Sequence, residues 1–262
     1  MTRNKIVIGN WKMNPLSLKE AEKLFTNIAK SISGVRKTEV VICPPFLYLE
    51  KLKSIGWRTK KISLGAQDVF WGNPPAGGGA YTGEVSADML YNIGVKYIIV
   101  GHSERRAMNE SNSDINKKIK ASLSAGLRPI LCVGENVRDE NHEYFNVVKT
   151  QLTKCLDGIS KNSISKVIIA YEPIWAISST QNRKNAMPED SKEMTIFIRK
   201  ILSDKFGSEA SKIRIIYGGS ANEKDAEDFL KNGGVDGLLP GRASLDPKKF
   251  SQIIKICEAS SK

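Results

Sequence analysis

Eight short apolar runs, each followed by a longer amphipathic stretch, constrain this chain more than anything else in it. They are Lys5–Gly9, Glu39–Cys43, Ile62–Ala66, Tyr97–Val100, Arg128–Val133, Val167–Tyr171, Arg214–Tyr217 and Gly237–Pro240. They are apolar throughout rather than at alternate positions, which predicts parallel strands covered on both faces. The stretches between them carry apolar residues at helical spacing. Leu18, Ala21, Phe25, Ile28 and Ile32 form one face, behind Ser17-Leu-Lys-Glu20, which reads as a capping box. Ile115, Ile119 and Leu123 form the next, then Val147, Val148 and Leu152. Met194, Phe197, Ile198, Ile201 and Leu202 follow, with Pro188 suited to the first turn of their helix. Phe250, Ile253, Ile254 and Cys257 form the last.

Eight strand–helix units in 262 residues predict an α/β protein, a single-domain (β/α)8 barrel over residues 1–262. A doubly wound open sheet, the runner-up, leads one to expect a glycine-rich turn after the first strand. The chain instead reads Ile8-Gly-Asn-Trp-Lys-Met-Asn14. The stretch Gly72–Gly79 is a loop within the third unit, not a linker.

Charge and cysteine usage exclude several functions. Lys plus Arg number 40 against 28 Asp plus Glu, a net charge of +12. The positive charges form no block: Lys60-Lys61 and Arg183-Lys184 are short, and Trp57 alone is no stacking platform. Nucleic acid is therefore not an expected partner, and the excess charge suits solubility and anionic substrates. Cys43, Cys132, Cys155 and Cys257 are widely spaced, which argues against a zinc site or a thiol redox motif and for buried, reduced thiols. No apolar run is long enough for a membrane span, and Met1–Lys5 carries no signal-peptide pattern, so the expected location is cytoplasmic.

In such a barrel the active site lies at the C-terminal ends of the strands. Asn10 and Lys12 follow the first strand, and His102-Ser-Glu-Arg-Arg106 the fourth. Glu172 follows the sixth, Gly218-Gly-Ser220 the seventh and Gly241-Arg242 the eighth. Each has a plainer explanation: a packing histidine, a strand-ending glutamate, a tight turn, a solvated lysine. All of these holding at once, at the mouth of one barrel, is improbable. A base, an imidazole and a cation beside two glycine-containing loops suit proton transfer on a phosphorylated substrate. His142 sits in a charged run and is no candidate.

Gly9-Asn-Trp-Lys-Met-Asn14, Gly101-His-Ser-Glu-Arg-Arg106, Tyr171-Glu-Pro-Ile-Trp-Ala-Ile177, Tyr217-Gly-Gly-Ser220 and Ala243-Ser-Leu245 together resemble the triosephosphate isomerase family. The resemblance runs from about Lys5 to Cys257. It implies a TIM barrel that interconverts dihydroxyacetone phosphate and glyceraldehyde 3-phosphate without cofactor or metal. That family is itself a standard case of a glutamate base paired with a neutral histidine, so those roles are carried over, here to Glu172 and His102. Lys12 is implied as the fixed charge and Asn10 as an orienting group. N–H groups near Ser178, Ser220, Gly241 and Arg242 are implied to hold the phosphate.

Ile177, on an implied lid, and Leu239 would press on Glu172 and strip it of water. Glu104 would support Lys12. The resemblance also implies a homodimer. In it Thr82 would approach the partner's Asn10 and Lys12, and Glu84 would pair with Arg105 across the interface. Two positions depart from the family pattern. The lid stretch Ser178–Ala186 is glycine-free and about three residues longer. Arg242 stands where the family usually has glycine, and would be strained if that position needed left-handed backbone. A barrel acting on another sugar phosphate, and a non-catalytic basic binding protein, are the rival readings.

Overall fold

A computed structural model describes residues 4–56, 61–72, 79–177 and 185–261. Trp57, Lys60, Ser178, Arg183 and Lys184 lie outside them. The strands are β1 (Ile6–Asn10), β2 (Glu39–Cys43), β3 (Ile62–Ala66), β4 (Tyr97–Val100), β5 (Arg128–Val133), β6 (Ile168–Tyr171), β7 (Arg214–Tyr217) and β8 (Gly237–Leu238). They pair in chain order, all parallel, and β8 closes on β1 through Ile6↔Gly237 and Val7↔Leu238. The helices are α1 (Leu18–Ser31), α2 (Leu49–Gly56), α3 (Ala87–Asn92), α4 (Ser103–Ala107), α5 (Asn112–Ser124), α6 (Tyr144–Cys155), α7 (Lys161–Ile164), α8 (Pro188–Phe206), α9 (Ala226–Asn232) and α10 (Pro247–Ala259). The expected (β/α)8 barrel is thus what forms.

The unbroken apolarity of the strands has a direct cause. Successive strand side chains point to opposite faces, and in a closed barrel both faces are dry. Ile6, Ile8, Val41, Cys43, Ile99, Ile130, Cys132 and Ile216 fill the barrel. Their neighbours Val7, Val40, Ile42, Val100, Leu131, Val133 and Ile215 pack outward against the helices. At the end away from the site, Tyr97 and Arg214 both bind Glu39, the latter at 2.7 Å, and Arg128 donates to the Tyr97 hydroxyl at 3.1 Å.

The edges of the expected elements shift in instructive ways. β8 stops at Leu238 rather than Pro240, yet Leu239 N–H still donates to Tyr217 (2.8 Å) and Asn10 N–H to Pro240 (3.1 Å). At Ser17 only half of the capping box forms: its hydroxyl accepts from Glu20 N–H and donates to the Glu20 carboxylate. Leu18 and Val147, placed on the buried faces by spacing, are 41% and 42% exposed. Both lie at the border of an apolar stripe, where a step of 100° per residue already faces water. The stripe residues Phe25, Ile119, Leu152, Ile198 and Phe250 are buried. All four cysteines are free and buried, with burial pushing the thiols up, that of Cys257 to about 12. No helix among the described residues is long and apolar enough to cross a membrane.

The C-terminal helix is tied down by one carboxylate. Glu258 accepts the N–H groups of Arg36, Lys37 and Thr38 at 2.8, 3.0 and 2.7 Å. Burial raises its carboxyl, but the three donors outweigh that and hold it at about 2 instead of 4.5. A carboxyl lowered by folding stabilises above its unfolded pKa, and that stability is lost as pH falls through the folded value. Glu258→Gln is therefore expected to destabilise the protein at pH 7 by about 1 kcal/mol, a figure discounted for solvent screening. The gap to wild type should close between about pH 4.5 and pH 2. Urea midpoints at both pH extremes measure it, and an equal gap at both would refute the clamp.

Candidate active site

The C-terminal strand ends converge on a cleft of about 390 Å³. Asn10, Lys12, His102, Ile177, Gly218, Gly219, Ser220, Leu239, Gly241 and Arg242 all line it. Asn10 closes β1, and its side-chain oxygen accepts Lys12 N–H at 3.0 Å. Lys12 itself sits in the left-handed region at φ +52°. Its ammonium lies 2.5 Å from Glu104 Oε1.

His102 caps the N-terminus of α4. Its Nδ1 accepts the backbone N–H of Glu104 at 3.2 Å, so the ring hydrogen stands on Nε2. Nε2 points toward Glu172, 3.5 Å from Oε1. Glu172 is 1% exposed and lines an adjoining recess with Gly101, Ser103, Gly134 and Ile174. Its Oε2 accepts Ser103 N–H at 3.2 Å, while Oε1 has no hydrogen-bond partner among the described residues. A buried carboxylate oxygen with no partner among the described residues, beside an imidazole nitrogen, can receive a proton.

Two glycines make room for Glu172, one for its side chain and one for its backbone. A Cβ at Gly218 would lie 2.9 Å from Glu172 Cγ, and one at Gly134 would lie 1.8 Å from the Glu172 carbonyl oxygen. Beneath Glu172, the Cys132 thiol is pushed well up, first by burial and then by the glutamate charge, so it stays protonated and serves as packing.

The loop after β8 answers one expectation. Arg242 is not strained: it begins a short 3₁₀ turn, Arg242–Leu245, after Gly241 at φ −88°, ψ −91°. Among the described residues only Lys12, Asn109 and His142 are non-glycine residues with positive φ.

Other expected residues stand apart from the cleft. Thr82 and Glu84 are exposed in the loop after β3. Arg105 binds Asp68 at 2.9 Å and lies 3.8 Å from Glu110. Ser178 lies outside the described residues.

Two further polar residues near the site, at the ends of β3 and β5, belong to none of the sequence motifs. Gln67 follows β3 and donates to the carbonyls of Lys12 and Cys43. Glu135 follows β5, is 1% exposed, and accepts from Tyr171 Oη and Trp175 Nε1, both at 2.8 Å. Burial raises its carboxyl, and these two donors partly offset the rise. Their positions at strand ends are visible in the sequence, but the partners that give them weight are not.

Comparison with known proteins gives the family. The sequence profile of the family described as triosephosphate isomerase matches residues 5–257. The chain is 41% identical over 256 residues to the triosephosphate isomerase of Dictyoglomus thermophilum, covering 97% of this chain and 99% of the relative. It is also 41% identical over 256 residues to that of Aquifex aeolicus, covering 95% and 98%. The crystal structure of triosephosphate isomerase from Bartonella henselae matches with a TM-score of 0.83 at 34% identity, covering 97% of this chain and 99% of that one.

Proposed function

The chain belongs to the triosephosphate isomerase family and is an isomerase of triose phosphates, and from that premise we propose that Glu172 is its base, His102 its electrophile and Lys12 its fixed charge. The observation that supports this most is the 3.5 Å approach of Glu172 Oε1 to His102 Nε2 at the edge of the cleft that Lys12 also enters. Glu172 takes a proton from the carbon beside the substrate carbonyl, leaving an enediolate. The His102 Nε2–H group donates to the oxygen on which charge develops, and Lys12 offsets that charge. His102 gives its Nε2 proton to that oxygen and takes up the hydroxyl proton from the neighbouring one, Glu172 returns its proton to the second carbon as the carbonyl re-forms on the first, and so the product is an isomer and no other reactant is consumed. The carboxylate must first turn from Ser103 N–H toward the cleft.

Asn10 orients the substrate oxygens and Lys12. The phosphate rests on backbone N–H groups of Ser220, Gly241, Arg242 and Ser178. Ile177 and Leu239, 7% and 2% exposed, are the apolar groups that would shed water from Glu172 on closure. Glu104 holds Lys12 in place. No cofactor, metal or nucleic acid enters this reading, which places one barrel domain over residues 1–262 in the cytoplasm.

The active form is a homodimer. Met13 and Leu16 follow β1, Leu47 follows β2, Trp71 and Tyr81 follow β3, and Met108 follows β4; they are 83%, 86%, 86%, 41%, 47% and 65% exposed. These four strands are neighbours, so their loops share one side of the barrel mouth, and so much apolar surface there suits a self-complementary contact. In it Thr82 approaches the partner's Asn10 and Lys12, and Glu84 meets the partner's Arg105.

Two measurements test these assignments. Inorganic phosphate is expected to compete with triose phosphate in a coupled assay; non-competitive inhibition would place the anion site elsewhere. Sedimentation should give about twice the 29.0 kDa of one chain. A fully active monomer would overturn the dimer.

A further inference from the structure

We infer that Gln67 is a positioning residue for catalysis, acting by holding the backbone of Lys12 in the left-handed conformation that aims its ammonium. This rests on the assignment of Lys12 as the fixed charge. A lysine at φ +52° is unfavourable by itself and persists only where its surroundings over-determine it. Here the residue is gripped on both sides. Asn10 Oδ1 accepts its N–H at 3.0 Å, and Gln67 Nε2 donates to its carbonyl at 2.7 Å. The second hydrogen of that Nε2 goes to the Cys43 carbonyl at 2.8 Å, and the same carbonyl accepts Trp11 N–H at 3.1 Å. A nitrogen facing two carbonyl oxygens fixes which end of the amide is which.

One amide at the end of β3 therefore ties together the ends of β1 and β2. The direction of the Lys12 carbonyl decides the direction of its side chain. Released from Gln67, Lys12 can relax toward the common right-handed region, which swings the ammonium away from Glu104 and the cleft. Gln67 lines no part of the cleft, so its influence passes through Lys12.

Gln67→Leu removes both donors. Gln67→Glu keeps the shape but sets a carboxylate against two carbonyls, and it serves if the leucine variant does not fold. Either change is expected to lower kcat/KM for triose phosphate about thirtyfold, the scale of a misplaced charge in a reaction that depends on geometry. A merely structural role would produce a loss too, so the deciding measurement is a double-mutant cycle with Lys12→Ala.

With no ammonium left to aim, the Gln67 substitution should cost less than about threefold further. An equal loss in both backgrounds would show Gln67 to be structural only and would overturn the proposal. So would unchanged activity in the single variant. Full activity in Lys12→Ala alone would instead mean that the assignment of Lys12 has failed, with the Gln67 proposal falling as its consequence.

Discussion

Glu172→Gln is expected to reduce kcat for triose phosphate isomerisation roughly a thousandfold or more while leaving the melting temperature unchanged or slightly raised. The two halves of that expectation have separate causes. The rate falls because an amide of the same shape cannot take a carbon-bound proton. Stability holds because the amide oxygen can still accept Ser103 N–H, which now reaches Glu172 Oε2 at 3.2 Å. It should even gain a little, because a buried charge disappears from a side chain that is 1% exposed and whose Oε1 has no hydrogen-bond partner among the described residues. Kinetics and thermal unfolding should be measured on the same preparation. Exchange of substrate hydrogen with D₂O should be lost along with turnover, since both need the same proton abstraction. Activity equal to wild type would remove Glu172 from the mechanism. A fall of ten degrees or more in melting temperature would mean that the rate loss reports folding instead.

Such a substitution can be named in advance because one class of information survives in the sequence. The barrel was legible because dryness on both strand faces forces unbroken apolar runs, and a closed barrel repeats that demand eight times. Strand ends were legible as candidate site positions because topology places all of them at one mouth.

What was not legible depends on partners that only folding brings together. Nothing local in Ala66-Gln67-Asp68 says that the amide will meet carbonyls at the ends of two other strands. Glu135 reads as one more charged residue until Tyr171 and Trp175 close on it from the next unit. The backbone of Lys12 belongs to the same class, because left-handed lysine is not something its neighbours in sequence announce. Arg242 shows the converse: a residue type suggested strain that the local turn does not impose. Leu18 and Val147 mark the limit of periodicity, which locates the centre of a buried stripe better than its rim.

The imidazole carries the second large effect. His102→Gln is expected to lower kcat several hundredfold, with KM for triose phosphate held within about threefold. The split follows from where the ring stands. Nδ1 has two neighbours that ask for opposite states. The Glu104 N–H at 3.2 Å needs a lone pair there, while Glu104 Oε2 at 3.7 Å would favour a hydrogen. The first lies within hydrogen-bond range and the second does not, and the other oxygen of that carboxylate is already held by Lys12 at 2.5 Å. The hydrogen is thus left on Nε2, facing Glu172 and the cleft. Glutamine can offer an N–H there but cannot give up a proton and take it back, so the step in which charge develops on substrate oxygen slows. Binding is largely spared because the phosphate is assigned to backbone N–H groups that follow β6, β7 and β8. Nitrogen-15 NMR of the wild type should find the hydrogen on Nε2. A hydrogen on Nδ1, or a kcat within tenfold of wild type in His102→Gln, would reverse the assignment and leave Lys12 as the only group stabilising the enediolate.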